Sequence, residues 1–238
     1  MKTKAIIFDK DGTLIDFDAF WIAVSVAAIK DILKAAKKEE IPFSDILSVV
    51  GVNDGITDIN GILCKGTYEQ MGKAIHAVLS KNGCRLSENE VIRLTIDAYH
   101  QNSDNGEVRA ACPEISEVFS KLKQMGIKLA VVTTDDSVVT KKCLSALNIE
   151  EFFDEIYTDD GLYPAKPDPY CIFDFCKKYD IDKSEIIMVG DTLTDMSFAA
   201  NGGIKAVGVA KNQANREFLK KSTDCVLPDI SYIFDVIE

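Results

Sequence analysis

Two aspartates one residue apart, Asp9 and Asp11, follow a short apolar run near the start of the chain. The run from Ala5 to Phe8 is rich in Ile and Phe, which is typical of a fully buried strand that Gly12 then ends. Residues i and i+2 of an extended backbone lie on the same side, so we expect both carboxylates to point one way and Lys10 the other. Paired carboxylates repel each other, and a divalent metal or a shared proton would explain them. An ordinary Asp-Gly turn is the alternative.

Further polar residues occur downstream in a fixed order. Thr133, Asp191 and Asp195 each come after an apolar run that predicts a buried strand, and Lys166 lies between them in a Lys-Pro-Asp-Pro segment. Each has an ordinary interpretation when taken alone: a strand-end hydroxyl, a turn aspartate, a helix-capping aspartate and a surface lysine. Ligands of open parallel sheets bind at the carboxyl ends of the strands, so the joint occurrence favours one site. With Asp9, the two later aspartates are oxygen ligands that suit Mg²⁺.

The residue types in this predicted site fit phosphoryl transfer. Asp9, at the strand end, is placed to attack phosphorus as in aspartyl-phosphate chemistry. Asp11 is placed to protonate the leaving oxygen and then to activate water. The Thr133 hydroxyl and the Lys166 ammonium are candidates for holding the transferred phosphoryl oxygens.

The pattern of the whole chain predicts how these residues are positioned. From about residue 108 onward, apolar strands alternate with helices, which predicts an α/β fold with a Rossmann-like, doubly wound parallel sheet. Residues 17–107 carry helical periodicity and no convincing strand. We therefore expect a catalytic core formed by residues 1–16 and 108–238, with an all-helical cap domain, 17–107, inserted into it.

Local signals support the helical character of the insertion. Phe17 and Trp21 begin a helical apolar stripe, and Ser87 with Glu90 three residues later is typical of a capping box. The sequences Asn53-Asp54-Gly55 and Asn60-Gly61 predict loops.

Composition limits the class of protein. The formal charge of −11 disfavours nucleic acid and anionic membranes as partners. Seven cysteines without a Cys-x-x-Cys, and only two histidines, disfavour a zinc site or a disulfide framework and favour reduced thiols. The apolar stretch 19–29 is too short to span a bilayer, and the first residues lack a signal-peptide core, so we expect a cytoplasmic protein.

These motifs resemble those of the haloacid dehalogenase superfamily of phosphotransferases. The matching residues, all outside the insertion, are Asp9-Lys10-Asp11-Gly12-Thr13, Thr133, Lys166 in Lys-Pro-Asp-Pro, and Gly190-Asp191 with Asp195. The resemblance implies that Asp9 is nucleophile and metal ligand. It implies that Asp11 is the acid/base and offers its backbone carbonyl to Mg²⁺, and that Asp191 completes the ligands with Asp195 in support.

The resemblance also implies which residues bind the phosphoryl group and which branch of the family the insertion indicates. Thr133, Lys166 and the backbone of Lys10 and Thr134 would bind the phosphoryl group. A helical cap at this point marks the phosphoglycolate phosphatase and β-phosphoglucomutase-like branch.

Residues near the start of the insertion are candidates for touching substrate. They are Asp16, Phe17 and Trp21, with packing inside the cap as the alternative. The sequence departs from the family pattern shortly after Thr133. Asp135 and Asp136 stand where relatives often have an asparagine, and we expect them to cap the next helix.

The expected function is a Mg²⁺-dependent phosphatase acting on a small phosphorylated metabolite, as a monomer or homodimer. A phosphomutase of the β-phosphoglucomutase type would share every catalytic residue and is the alternative. A non-catalytic phospho-acceptor or binding module is a third hypothesis.

Overall fold

The structure is a computed structural model that describes residues 2–58 and 61–237. The predicted turn at Asn60 lies outside the described residues. The chain forms two compact units, one made of the residues up to Asp16 together with those from Val108 onward, and one made of Phe17–Glu107.

Within the described residues, strands and helices follow one another along the chain. The strands are β1 (Ala5–Phe8), β2 (Val52–Asn53), β3 (Ile56–Thr57), β4 (Lys128–Val132), β5 (Glu155–Tyr157), β6 (Ile186–Gly190), β7 (Lys205–Val209) and β8 (Val226–Leu227). The helices are α1 (Phe17–Ala35), α2 (Phe43–Val50), α3 (Ile62–Lys65), α4 (Tyr68–Lys81), α5 (Glu88–Gln101), α6 (Ile115–Gln124), α7 (Ser137–Ala146), α8 (Tyr170–Tyr179), α9 (Leu193–Gly202) and α10 (Gln213–Leu219).

The first unit is built on a six-stranded sheet in the order β5-β4-β1-β6-β7-β8, with every neighbouring pair parallel. β1 is central, and Phe8 is in register with Val131 of β4 and Val189 of β6. All four residues of β1 are buried, as a strand covered on both faces requires. The α/β, Rossmann-like prediction is confirmed.

Alternate residues of β1 contribute to different sides of the core. Ile7 belongs to a cluster that includes Phe175 of α8 and Phe198 of α9. Phe8 packs edge-on against Phe119 of α6, with ring centroids 5.3 Å apart. Because successive side chains of a strand point to opposite faces, helices cover both faces of the sheet.

The second unit is mainly helical. α4 and α5 begin with capping boxes at Thr67 and Ser87, the second of which the spacing predicts. In its interior the Tyr99 hydroxyl of α5 donates to Ser25 Oγ of α1 at 3.1 Å. Among the described residues, none of the helices combines the length and apolar character needed to cross a membrane.

One detail of the second unit differs from the expectation of a block without strands. β2 and β3 form a two-residue antiparallel hairpin. Asp54 and Gly55, the two residues between them, have φ values of 50° and 74°. Positive φ at both central positions defines the turn that best joins hairpin strands, and Asp-Gly is a preferred sequence for it. The turn residues, rather than any apolar alternation, therefore make this hairpin.

Candidate active site

The segment after β1 is a tight turn rather than a continuation of the strand. The backbone N–H groups of Leu14 and Ile15 both donate to the Lys10 carbonyl, at 2.8 and 3.0 Å. Gly12 has a φ of 82°, and a Cβ on it would lie 2.1 Å from Asp191 Oδ2. Gly12 therefore supplies both the left-handed backbone and the space that Asp191 occupies.

The sheet order brings three of the predicted site residues to neighbouring strand ends. Asp9 follows the central strand β1, Thr133 follows β4 on one side, and Asp191 follows β6 on the other. Since the strands are parallel, their carboxyl ends meet at one edge of the sheet.

Three carboxylates gather at this edge. Asp9, Asp191 and Asp195 each offer an oxygen, and these atoms lie within 4.8 Å of one another. Burial, reinforced by the charges of Asp195 and Asp11 and opposed by Lys166, raises the pKa of Asp9 to about 7. Burial and the carboxylates of Asp9 and Asp195 raise the pKa of Asp191 well above its usual value. A closely packed set of carboxylate oxygens suits a hard divalent cation, which would offset this repulsion.

Lys166 is the cation that the fold itself supplies to this cluster. Its Nζ donates to Asp9 Oδ1 at 2.5 Å and to Asp195 Oδ1 at 2.7 Å, and its side chain is 3% exposed. Burial alone would lower the pKa of Lys166, but the two carboxylates raise it above its usual value, so the ammonium stays charged.

Asp195 is held at both of its carboxylate oxygens. Oδ1 accepts from Lys166, while Oδ2 accepts from the Thr192 hydroxyl at 2.6 Å and from the Thr192 backbone N–H at 3.0 Å. Thr192 is the N-cap of α9 and completes a capping box with Asp195. The sequence interpretation did not include Thr192, although the Thr-x-x-Asp spacing is a signal for this cap.

Lys10 does not point away from Asp11 as the extended-strand argument predicts. Its fully buried Nζ lies 2.7 Å from Asp11 Oδ2 and 2.9 Å from Asp135 Oδ2. The rule for residues i and i+2 does not apply here because β1 ends at Phe8 and the following residues form the turn described above.

Asp135 and Asp136 have different roles. Asp136 caps α7 as expected, since its Oδ1 accepts from the backbone N–H groups of Val138 and Val139 at 2.8 and 2.9 Å. The capping prediction is wrong for Asp135, whose side chain instead pairs with Lys10. Burial raises the pKa of Asp135 to about 6, with Lys10 opposing the rise.

The remaining predicted residues lie in different surroundings. The Thr133 hydroxyl is buried and accepts from the Asp135 backbone N–H at 3.2 Å, whereas Thr134 is exposed. Asp16 Oδ2 lies 3.5 Å from Lys211 Nζ.

The two aromatic candidates belong to α1 in the second unit. The rings of Phe17 and Trp21 are 6.3 Å apart, and Trp21 also meets Phe20 edge-on at 5.2 Å. Trp21 is buried and Phe17 is partly buried. Both aromatic side chains therefore make packing contacts within the second unit.

Comparison with known proteins gives concordant matches. A family model described as haloacid dehalogenase-like hydrolase matches residues 3–203. A phosphoglycolate phosphatase from Neisseria meningitidis is 27% identical over 228 residues, covering 95% of this chain and 88% of that protein. Pyrophosphatase PpaX of Bacillus velezensis is 28% identical over 211 residues, covering 88% of this chain and 84% of that protein. The HAD-hydrolase YfnB of Bacillus subtilis, crystallised with magnesium, superposes with a TM-score of 0.72 at 17% identity, covering 99% of each chain. This last likeness supports the fold.

The close approach of Asp191 to Gly12 predicts a specific loss of stability in Gly12→Ala. Left-handed backbone costs an alanine about 1–2 kcal/mol, and displacing Asp191 should cost about 1–3 kcal/mol more. Gly126→Ala is the matched control, because Gly126 has a φ of 78° but a Cβ added to it would meet no heavy atom of a non-adjacent residue within 4 Å. Urea unfolding should show the larger loss of unfolding free energy in Gly12→Ala. Equal losses in the two variants would contradict the steric argument.

Proposed function

This chain belongs to the haloacid dehalogenase-like hydrolase family, and we propose that it is a Mg²⁺-dependent phosphatase that hydrolyses a small phosphorylated metabolite through an aspartyl-phosphate on Asp9. The observation that carries the proposal is the setting of Asp9. Its carboxylate lies at the end of the central strand, bound by the buried ammonium of Lys166 and surrounded by the carboxylates of Asp191 and Asp195.

The proposed reaction has two halves. In the first, an Asp9 carboxylate oxygen forms a bond to phosphorus as the bond from phosphorus to the ester oxygen breaks, and Asp11 gives its proton to the departing oxygen. In the second, Asp11 takes a proton from water, whose oxygen forms a bond to phosphorus while the bond to Asp9 breaks. Phosphate leaves, and Asp9 is again a carboxylate and Asp11 again an acid.

The phosphoryl oxygens need donors that are already in place, because phosphoryl transfer depends mainly on positioning and charge stabilisation. Lys166 and the Thr133 hydroxyl supply these donors, together with the backbone N–H groups of Lys10 and Thr134. Lys166 is fixed by Asp195, and Asp195 by Thr192, so the ammonium is oriented before substrate binds.

The donor set at the sheet edge fits Mg²⁺. Asp9 and Asp191 provide carboxylate oxygens and Asp11 provides its main-chain carbonyl, while Asp195 acts in support because both of its oxygens already accept hydrogen bonds from Lys166 and Thr192. When bound, the cation supplies charge neutralisation that lets a phosphate dianion approach these aspartates.

The second unit supplies substrate selection in this proposal. Residues 17–107 act in this proposal as the cap expected from the sequence, and caps and lids in general limit a site to small substrates and exclude bulk water. Asp16, at the end of the first unit's opening segment, and Phe17 and Trp21 of the second unit are the candidates for contacting the substrate. Small phosphate esters of the kind named by the relatives, phosphoglycolate in the first place, are the substrate class to test. No nucleic acid, membrane or obligatory partner protein is part of the proposal.

Hydrolysis of a panel of small phosphate esters tests the function. We expect phosphate release from phosphoglycolate, sugar monophosphates or pyrophosphate that requires Mg²⁺, stops with EDTA, and falls by at least about 10³-fold in Asp9→Asn, which removes the nucleophile. Asp224→Asn makes the same chemical change at an exposed position of the same unit and should keep the wild-type rate.

The same panel separates the alternatives. Conversion of a sugar monophosphate to its isomer that requires a sugar bisphosphate activator and releases no phosphate would replace the phosphatase with a phosphomutase. A phosphorylated Asp9 that persists for hours without turnover would indicate a phospho-acceptor module. Full activity in Asp9→Asn would contradict the assignment of the nucleophile.

The raised pKa of Asp9 predicts that stabilisation by Mg²⁺ depends on pH. In the metal-free fold Asp9 keeps its proton up to about pH 7, whereas the unfolded chain loses it near pH 4. The folded state then binds more protons between these values, so the free energy of unfolding falls as pH rises from about 4 to about 7. Mg²⁺ competes with these protons. Thermal unfolding with and without Mg²⁺ should show a small increase in Tm at pH 5 and a larger one at pH 8.

Asp191→Asn is the control for this measurement. It removes one proposed ligand, and the Mg²⁺-induced increase in Tm should be lost at both pH values. An increase of equal size at pH 5 and pH 8 in the wild-type protein would contradict the coupling between protons and metal.

A further inference from the structure

Each aspartate of the Asp-Lys-Asp motif is held by its own buried lysine. Lys166 bridges Asp9 and Asp195, with Nζ–O distances of 2.5 and 2.7 Å. Lys10 bridges Asp11 and Asp135, with distances of 2.7 and 2.9 Å. The first bridge belongs to the phosphoryl-binding set already described. The second bridge, between Lys10 and the carboxylates of Asp11 and Asp135, is not part of that phosphoryl-binding set.

Stability alone is a poor reason for the second bridge. Lys10 is completely buried, and transferring an ammonium from water into the protein costs several kcal/mol that an ion pair does not always recover. Burial alone would lower the pKa of Lys10, but Asp11 and Asp135 raise it above its usual value, so the side chain remains charged. An apolar side chain of similar length would fill the same volume without this cost. In some proteins a buried polar or ionic group of little net stability fixes one specific arrangement instead.

We infer that Lys10 and Asp135 are a positioning pair that orients the carboxylate of Asp11 for proton transfer. The inference rests on the proposed function of Asp11 as acid/base. The Lys10 ammonium lies 2.7 Å from Asp11 Oδ2, at ion-pair distance, and attracts that oxygen whether the carboxyl group is protonated or ionised. Oδ1 is then the oxygen that gives its proton to the departing ester oxygen as Asp9 bonds to phosphorus, and that later takes a proton from water.

Asp135 has two functions in this pair. Its charge offsets that of Lys10, so Lys10 can fix the orientation of Asp11 without adding a net positive charge beside it. Asp135 is itself anchored by its backbone, whose N–H donates to the Thr133 hydroxyl at 3.2 Å and whose carbonyl accepts from the Asp159 N–H at 2.9 Å. The pair therefore ties the acid/base to the same loop that carries the phosphoryl-binding hydroxyl.

The dependence of rate on the leaving group tests the proposal. Nitrophenyl phosphate has a leaving group that needs little protonation, whereas benzyl phosphate, of similar size, requires a proton from the general acid. Because kcat/KM reports the first half-reaction, Lys10→Met should lower kcat/KM for benzyl phosphate by about 10²-fold more than for nitrophenyl phosphate. A purely structural role would lower both values together.

Two further variants separate positioning from folding. Lys10→Met/Asp135→Asn removes both buried charges, so its Tm should lie closer to wild type than that of Lys10→Met, yet the leaving-group effect should remain. Lys128→Met removes a different ion pair of the same sheet, the one joining Lys128 Nζ to Asp154 Oδ1 at 2.7 Å, and should leave the ratio of the two kcat/KM values unchanged. A wild-type ratio in the folded double variant would overturn the proposal.

A structural readout keeps this proposal distinguishable from the proposed function. Crystal structures of the wild-type protein and of the double variant should show that the Asp11 carboxylate changes its rotamer while Asp9 and Asp191 keep theirs. An Asp11 rotamer that is the same in both structures would overturn the positioning role, whatever the activity of the double variant. A wild-type protein that hydrolyses neither ester would overturn the phosphatase proposal, and the rotamer comparison would still decide the effect of Lys10 on Asp11.

Discussion

Repulsion among buried carboxylates is the constraint on which the site depends. Oxygens of Asp9, Asp191 and Asp195 lie within 4.8 Å of one another, and burial together with the neighbouring carboxylates raises the pKa of both Asp9 and Asp191. A rigid backbone at the strand ends and at the start of α9 keeps such groups together, because each would otherwise move toward water. The central position of β1, buried on both faces and paired in parallel on both sides, supplies that rigidity.

Glycines make the close approach of these carboxylates sterically possible. A Cβ on Gly190 would lie 2.4 Å from the Cβ and Cγ atoms of Asp195, just as one on Gly12 would overlap Asp191. Both glycines are adjacent in sequence to an aspartate of the site, and each leaves room for the side chain of a different aspartate. The positions of the glycines and of the carboxylates are therefore coupled through space, and neither set is explained by its local sequence alone.

The sequence predicts the sheet and the site motifs because both depend on local patterns. Apolar runs followed by polar residues identify the strands and their carboxyl ends, and parallel pairing then brings Asp9, Thr133 and Asp191 together. Contacts of long sequence separation are not visible in such patterns. The pairing of Lys10 with Asp135 depends on the turn after β1, and nothing in either segment alone distinguishes a buried ion pair from an exposed lysine and a helix cap. Strand alternation does not predict the β2–β3 hairpin because two residues per strand are too few to show it, and its one sequence signal is the Asp54-Gly55 turn.

The charge balance of the site connects these observations. Five carboxylates, those of residues 9, 11, 135, 191 and 195, face two buried ammonium groups, so the fully ionised site carries an excess of negative charge. The two lysines are not distributed at random: each bridges two carboxylates, and Asp191 has neither lysine as a salt-bridge partner among the described contacts. Asp191 is consequently the carboxylate whose charge most requires an external cation, and burial together with the carboxylates of Asp9 and Asp195 raises its pKa. In the proposed reaction a divalent cation would offset this excess as a phosphate dianion approaches, so the arrangement of the aspartates supports the proposed use of metal.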